Sequence, residues 1–340
     1  MGGAGPARLV GCADLCLHGG GPDRQALGPL WEPGVSGARI GLLALVAALL
    51  VLPLGLSDFW IFIAIEVLAF ALYAISFNLL MGYGGMLSFG HAAFFGVGAY
   101  AGGLLVKKAG LSSLGAFMLV MPGAMAAAAL VAVAIGFFSV RRSGIYFAML
   151  TFAFQMLLYT VALKAIGLTG GDDGLTGLRP PGALAVPANY YYFALAWVLP
   201  SVYLLHRLVR SPFGLTLRAL RNNPLRVQYS GVDVRGHQLI TFVIAGAFAG
   251  LAGALFAFSS GNVFPGWLNW TASATPIVMA VLGGVQSFLG PALGAAVYVV
   301  LEVTISGSTE YWPLFMGLII MLLVLGMPRG LAGLLARRRP

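Results

Sequence analysis

The chain has 340 residues, of which 60% are hydrophobic and 9% are charged, and its net charge is +9. Soluble domains carry roughly 25% charged residues, so this composition excludes an ordinary soluble protein and indicates an all-α, polytopic membrane protein. Two cysteines, Cys12 and Cys16, are too few for a disulfide framework or a four-ligand zinc site, and the four histidines are too scattered for a metalloprotease motif. We therefore expect no metal and, because the arginines are distributed as in membrane proteins, no nucleic-acid partner.

The first 38 residues differ from the rest of the chain. They hold ten glycines and four prolines without an apolar period, which is typical of disordered segments. They also lack the basic-then-apolar layout of a signal peptide, so the first span is expected to be an uncleaved anchor. The sequence thus predicts a disordered segment at 1–38, a membrane domain at 39–330 and a basic tail at 331–340.

The membrane domain contains apolar runs of bilayer length. A helix needs about 20 residues to cross the hydrocarbon core, and ten runs approach that length. The predicted spans lie near 40–57, 60–81, 87–106, 114–138, 144–164, 189–206, 238–260, 270–284, 288–306 and 311–328. The pair at 270–306 is short, and the glycine-rich turn at its centre favours two broken helices.

The distribution of charge supports this count. Ten spans place both chain ends on one side of the membrane, and cytoplasmic segments are enriched in Lys and Arg. With a cytoplasmic N-terminus, the inner segments hold fifteen such residues and the outer segments hold four, namely Lys107, Lys108, Lys164 and Arg179. The asymmetry favours ten spans with both termini in the cytoplasm.

Few polar side chains fall within the spans, where ionisable groups are costly and often functional. Glu66 and Glu302 are predicted to lie within about 9 Å of the outer interface, where each reaches headgroups and water or contacts a substrate or ion. Gln155 is the deepest polar residue, and either an interhelical hydrogen bond or a place on the translocation path explains it. Asn78 is a further candidate for the path, together with Glu66, whereas His91 is expected to make a structural hydrogen bond.

Three pairs of glycines spaced four residues apart fall in the spans. This spacing lets two helix backbones approach closely, so the pairs predict packing contacts between helices. The pairs are Gly98 with Gly102, Gly246 with Gly250, and Gly290 with Gly294.

The inner segment at 207–237 holds six arginines and one carboxylate. After a Ser-Pro-Phe-Gly motif at 211–214, Leu217, Leu220 and Leu225 recur at about helical spacing, with arginines between them. This pattern predicts a short amphipathic helix outside the bilayer, which either anchors the chain at the membrane or docks on a cytoplasmic partner and transmits its motion. No lysine follows a glycine in the chain, so it lacks a phosphate-binding loop, and any ATP must be bound by another polypeptide.

Four motifs occur in order along the membrane domain. They are NLLMGYGGMLSFGHAAFFGVGAY at 78–100, TGGDDGLTG at 169–177, the segment at 211–233 that opens with SPFG, and VLGGVQSFLGP at 281–291. Together they resemble the motifs of branched-chain amino acid ABC transporter permeases of the LivM type. The resemblance covers roughly residues 40–330.

This resemblance implies a multi-pass subunit of an importer in a bacterial inner membrane. Such a permease pairs, within membrane lipid, with a sister permease, two cytoplasmic ATP-binding subunits and an extracytoplasmic solute-binding protein. It works by alternating access driven by ATP on those subunits, so it carries no cofactor and no catalytic residue of its own. The family's coupling helix, which fits a groove on the ATPase, corresponds here to the 207–237 loop with Gly214, Arg218, Ala219, Arg221, Pro224 and Gly231.

The motifs do not name the solute, since related permeases also carry urea or short amides. A path with few charges favours a small neutral or zwitterionic solute. The competing classes are an ion-coupled secondary transporter, which would need a carboxylate or histidine cluster near the midplane, and a membrane-embedded enzyme, which would need paired carboxylates or a nucleophile with its base at depth. The placement of Glu66 and Glu302 near the outer interface disfavours the first class.

Overall fold

A computed structural model describes residues 46–108, 110, 113–307, 310–326 and 330–336. Helices make up nearly all of the ordered structure in this part of the chain, as the composition predicts. After a helical stretch at 46–51 they are α1 (Asp58–Asn78), α2 (His91–Lys107), α3 (Leu114–Ser139), α4 (Ile145–Lys164), α5 (Ile166–Thr169), α6 (Pro187–Arg210), α7 (Pro212–Asn222), α8 (Pro224–Tyr229), α9 (Val234–Ser260), α10 (Trp270–Gly283), α11 (Gly290–Ser306), α12 (Trp312–Gly326) and α13 (Gly330–Ala336).

Short irregular elements connect these helices. Helix α1 continues into a π-helical turn at Leu79–Tyr83. Two strands of two residues each, β1 (Leu175–Thr176) and β2 (Asn262–Val263), pair antiparallel. Turns of 3-10 helix occupy Leu52–Leu54, Gly171–Asp173, Gly182–Ala185 and Pro265–Leu268.

Within the described residues, six helical stretches are long and apolar enough to cross a membrane: α1 with its π-helical turn, α3, α4, α6, α9 and the stretch Trp312–Gly333, which includes α12. Helices α10 and α11 are apolar but shorter. The chain is therefore a helical, multi-pass membrane protein. Nine of the predicted spans coincide with α1, α2, α3, α4, α6, α9, α10, α11 and α12, and the total of ten stays a prediction.

Helix α9 is the centre of the bundle and packs against α1, α2 and α3. Small residues make this close packing possible: a Cβ on Gly98 would overlap the carbonyl oxygen of Gly250, and a Cβ on Gly246 would lie 2.7 Å from the Cβ of Ala132. Helix association in lipid depends on such van der Waals contact, because lipid tails are as apolar as leucine. The glycine pairs of α2 and α9 thus lie where the helices meet.

Helix α10 is short for a membrane span. Its 14 residues span about 21 Å, which is less than the roughly 30 Å of the hydrocarbon core. The segment that precedes it is partly buried, with Val263 and Leu268 almost inaccessible and Phe264 exposed. Irregular backbone is tolerated at membrane depth when protein covers it. Helix α11 packs closely against α10, because Gly294 lies against the backbone of Met279.

The ends of the chain are described separately. Residues 53–340 form one compact unit, and the preceding unit ends at Leu52. The predicted disordered segment at 1–38 lies outside the described residues. Of the predicted basic tail at 331–340, the structure describes helix α13 only, up to Ala336.

Candidate functional site

The segment at 207–237 forms two short helices after α6. Pro212 occupies the start of α7, where its missing N–H costs nothing. The predicted short amphipathic helix corresponds to α7, which ends at Asn222. The Asn223 side chain accepts a 3.1 Å hydrogen bond from the Arg226 N–H and so caps α8. Leu217 and Leu220 are buried as the amphipathic pattern requires.

Helix α7 contacts the membrane domain of the same chain through two arginine side chains. The guanidinium of Arg221 donates to the carbonyl oxygen of Gly82. That of Arg218 lies 5.1 Å from the ring centroid of Tyr83. Gly85 has φ of +67°, and a Cβ there would lie 2.9 Å from Cγ of Arg221. Arg218 and Arg221, which the family resemblance places in the coupling loop, therefore contact the π-helical turn that ends α1.

The remaining surface of α7 and α8 carries three large exposed apolar side chains among polar ones such as Asn222, Arg226 and Gln228. Leu215 is 60% exposed, Leu225 63% and Tyr229 90%. Leu225 thus lies outside the buried stripe that its spacing with Leu217 and Leu220 predicts. We refer to α7 and α8 as the coupling segment. Leu215, Leu225 and Tyr229 form what we call its outer face, where 'outer' means exposed on the surface of the segment and not the outer side of the membrane.

The other predicted coupling residues shape this segment. Gly214 is buried, and a Cβ there would overlap the carbonyl oxygen of Val209 at the end of α6. Ala219 and Pro224 are exposed. Gly231 has φ of +83°, a left-handed conformation that favours glycine, in the turn that leads from α8 to α9. Their role in coupling stays a prediction.

Gln155 lies in a fully buried network that joins three helices. Its Nε2 donates to the carbonyl oxygen of Leu268 at 3.0 Å, and its Oε1 accepts from the hydroxyl of Ser273 at 2.8 Å. The Ser273 oxygen in turn accepts from the N–H of Ala92 at 2.9 Å. Both ends of the amide are therefore satisfied within the chain, which is the interhelical arrangement that the sequence allowed.

His91 and Asn78 are also buried. The hydroxyl of Ser76 donates to the carbonyl oxygen of Tyr73 at 2.7 Å, so the 3.0 Å contact between Ser76 Oγ and His91 Nε2 is a bond donated by the imidazole. Asn78 Nδ2 donates to the carbonyl oxygen of Ser287 at 3.2 Å. Among the described residues, Asn78 Oδ1 and His91 Nδ1 have no hydrogen-bond partner.

Glu66 and Glu302 lie on α1 and α11, which pack together. Both side chains are half-buried, and the charge of Glu302 interacts electrostatically with the carboxyl group of Glu66. The packing of α1 against α11 thus places two acidic residues, 236 positions apart in the chain, on neighbouring helices. The assignment of Glu66, Asn78 and Gln155 to the path stays a prediction.

Sequence reasoning missed Ser273, Ser76 and Tyr83 as partners of the polar residues. No local signal singles out the serines, since Ser273 alternates with Thr271 and Thr275 and Ser76 lies in a mostly apolar helix between Tyr73 and Asn78. Tyr83 lies in the glycine-rich stretch 82–85 near the start of the 78–100 motif. This stretch was the signal that could have identified Tyr83. Within the described residues, no group of three or more His, Cys, Asp or Glu residues is placed to hold a metal ion.

Comparisons with known proteins identify the family. Residues 59–325 match the family described as "Branched-chain amino acid transport system / permease component". The chain is 29% identical over 332 residues to the high-affinity branched-chain amino acid transport system permease protein LivM of Escherichia coli (strain K12), covering 88% of this chain and 77% of the relative. The LivM protein of Salmonella typhimurium is 28% identical with the same coverage.

A more distant relative is the permease protein BraD of Pseudomonas aeruginosa, which is 24% identical over 78% of this chain and 91% of its own length. No solved structure gives a significant match. The chain therefore belongs to the branched-chain amino acid transport permease family and is a multi-pass membrane permease.

Proposed function

We propose that this chain is the permease subunit of an ATP-driven importer for branched-chain or related small amino acids in a bacterial inner membrane. It forms part of the translocation path with a sister permease and receives solute from an extracytoplasmic binding protein. ATP is bound by separate cytoplasmic subunits. The names of the relatives and the scarcity of charge in the spans support a small zwitterionic solute.

The two-faced coupling segment carries this proposal. Arg218 and Arg221 contact the π-helical turn that ends α1, while the three apolar side chains of the outer face are exposed. A segment built in this way can receive force on one face and deliver it to a transmembrane helix through the other. The ATPase subunit is the partner that we assign to the outer face.

Contacts between loops support the ten-span topology. The segments expected in the cytoplasm meet one another: Asn78 bonds Ser287 as described, and the rings of His206 and Phe288 have centroids 4.8 Å apart. On the expected outer side, Lys108 Nζ donates to the carbonyl oxygen of Gly167 at 2.8 Å, and β1 pairs with β2. For the alternative, an ion-coupled transporter, the supporting observation is that Glu66 and Glu302 lie on neighbouring helices.

Affinity purification from native membranes in mild detergent tests the assignment. The unaltered chain should bring down a second permease and a subunit that hydrolyses ATP. Leu225→Asp combined with Tyr229→Ala should lose the ATPase subunit and keep the sister permease, because a carboxylate cannot be buried unpaired in an apolar interface.

Val186→Asp is the matched control, since Val186 is also an exposed aliphatic residue but precedes α6 at the expected outer side. It should leave the ATPase subunit in place. Retention of that subunit at the normal amount by the double variant would rule out the outer face as its binding surface.

A further inference from the structure

A basic crevice lies between the turn at 140–145 and the start of α8 and α9. It consists of two adjoining cavities of about 650 and 530 Å³, which share Arg142, Ser143, Pro224 and Gln238. Their walls carry four arginines, and the one carboxylate among the described lining residues is Asp233, whose side chain already caps α9 by accepting from the Arg235 N–H at 3.1 Å. The crevice therefore has a net positive charge.

Several hydrogen-bond donors in the crevice are available to a ligand. The guanidinium of Arg142 has no hydrogen-bond partner in the described part of the chain, and Arg221 uses one of its five N–H groups on Gly82. Helix α4 begins at Ile145, and its N-cap residue Gly144 offers no side chain to cap it. The first N–H groups of this 20-residue helix therefore add partial positive charge beside the arginines.

The other wall of the larger cavity is apolar. It is formed by Met86, Phe89, Phe147 and Met149, together with Ile145. Ile145 is 75% exposed and Met149 59% exposed, so this wall continues onto the outside of α4, where lipid is expected. A ligand that fills the crevice must combine an anionic group with an apolar body.

We propose that this crevice binds an anionic phospholipid, with the headgroup phosphate at Arg142 and the N-terminus of α4 and an acyl chain along Ile145 and Met149. Basic pockets between transmembrane helices on the cytoplasmic side have the chemistry that binds such headgroups. The proposal rests on the topology given under Proposed function. Because Arg221 and Pro224 also line the cavity, the bound lipid contacts the coupling segment directly.

Lipid retention by the full-length chain, purified with its co-purifying subunits and stripped of native lipid, tests the site. Native mass spectrometry after addition of phosphatidylglycerol or phosphatidylcholine should show selective retention of phosphatidylglycerol. Arg142→Gln should weaken that retention about fivefold and Arg141→Gln with Arg142→Gln more, since each cation near an anionic lipid contributes to binding. Arg142→Lys keeps the charge and should fall between, because lysine cannot pair a phosphate bidentately.

The matched control is Arg179→Gln, an equal loss of charge in an exposed loop away from the crevice, and it should retain phosphatidylglycerol normally.

Equal retention of the two lipids, or normal retention by Arg142→Gln with a normal gel-filtration profile, would overturn the proposal. So would displacement of the lipid by inorganic phosphate alone, which would indicate a soluble anion. Loss of the ATPase subunit without loss of lipid would instead make the crevice a protein contact. Lipid retention is measured without ATP or solute, so its failure is separate from that of the importer assignment.

Discussion

At the scale of single residues, Gln155 shows how a buried polar group is explained by its contacts. The sequence allowed an interhelical bond or a place on the path. In the structure its amide links α4 to the backbone of Leu268 and to Ser273, and this linkage holds the irregular backbone before α10 in place.

Gln155→Leu should therefore lower stability and leave solute preference unchanged. It removes two buried hydrogen bonds and leaves their partners unsatisfied, at a cost of about 1–3 kcal/mol. The apparent melting temperature in detergent and competition between labelled solutes measure the two effects. Gln286→Leu, at an exposed glutamine, should change neither. A changed solute preference at normal stability would place Gln155 on the path instead.

The direction of the arginines in the coupling segment could not be predicted. The spacing of leucines and arginines in 207–237 predicts helical structure with one apolar face, and Leu217 and Leu220 are on that face. Arg221, however, bonds Gly82, which is 139 positions away. Only the packed fold brings these residues together, so the sequence pattern identified the segment and not its orientation.

At the scale of elements, apolar run length predicts the helices within a few residues. The start of α2 is the clearest shift, since it begins at His91 rather than at 87. Residues 84–90 are extended or in turns because Gly85 lies against Arg221 and Gly90 against the backbone of Thr151. The π-helical turn is likewise a feature that hydrophobic periodicity does not encode. The break at Asn223 has a local cause, because a residue that precedes a proline disfavours the helical conformation and the Asn223 side chain caps α8.

The contact between α2 and α9 has a direct test. Gly98→Ala should reduce the yield of folded protein, because its Cβ overlaps the carbonyl oxygen of Gly250 and overpacking costs about 1–3 kcal/mol. Gly115→Ala on α3 is the control, since a Cβ there meets nothing within 4 Å. Detergent-solubilised monodisperse yield is the measurement. Equal yields from the two variants would contradict close packing at Gly98.

At the scale of the whole molecule, the described chain is a helical membrane bundle, and under the proposed function its motion is driven by a separate ATP-binding subunit. The centre of the bundle is tightly packed around α9, whereas α12 and much of α4 expose apolar side chains. The coupling segment lies at the end of α6 and reaches α1 through two arginines. Under the proposed function, this arrangement would transmit movement between a partner and the membrane helices.

The most direct test of this account is uptake of labelled leucine into proteoliposomes that contain the chain and its co-purified subunits, with the solute-binding protein outside. We predict uptake that requires ATP inside the vesicles, on the side of α7 and α8, and that persists when ionophores collapse the proton and sodium gradients. Uptake that proceeds without ATP and stops when either gradient is collapsed would contradict the account and transfer attention to Glu66 and Glu302.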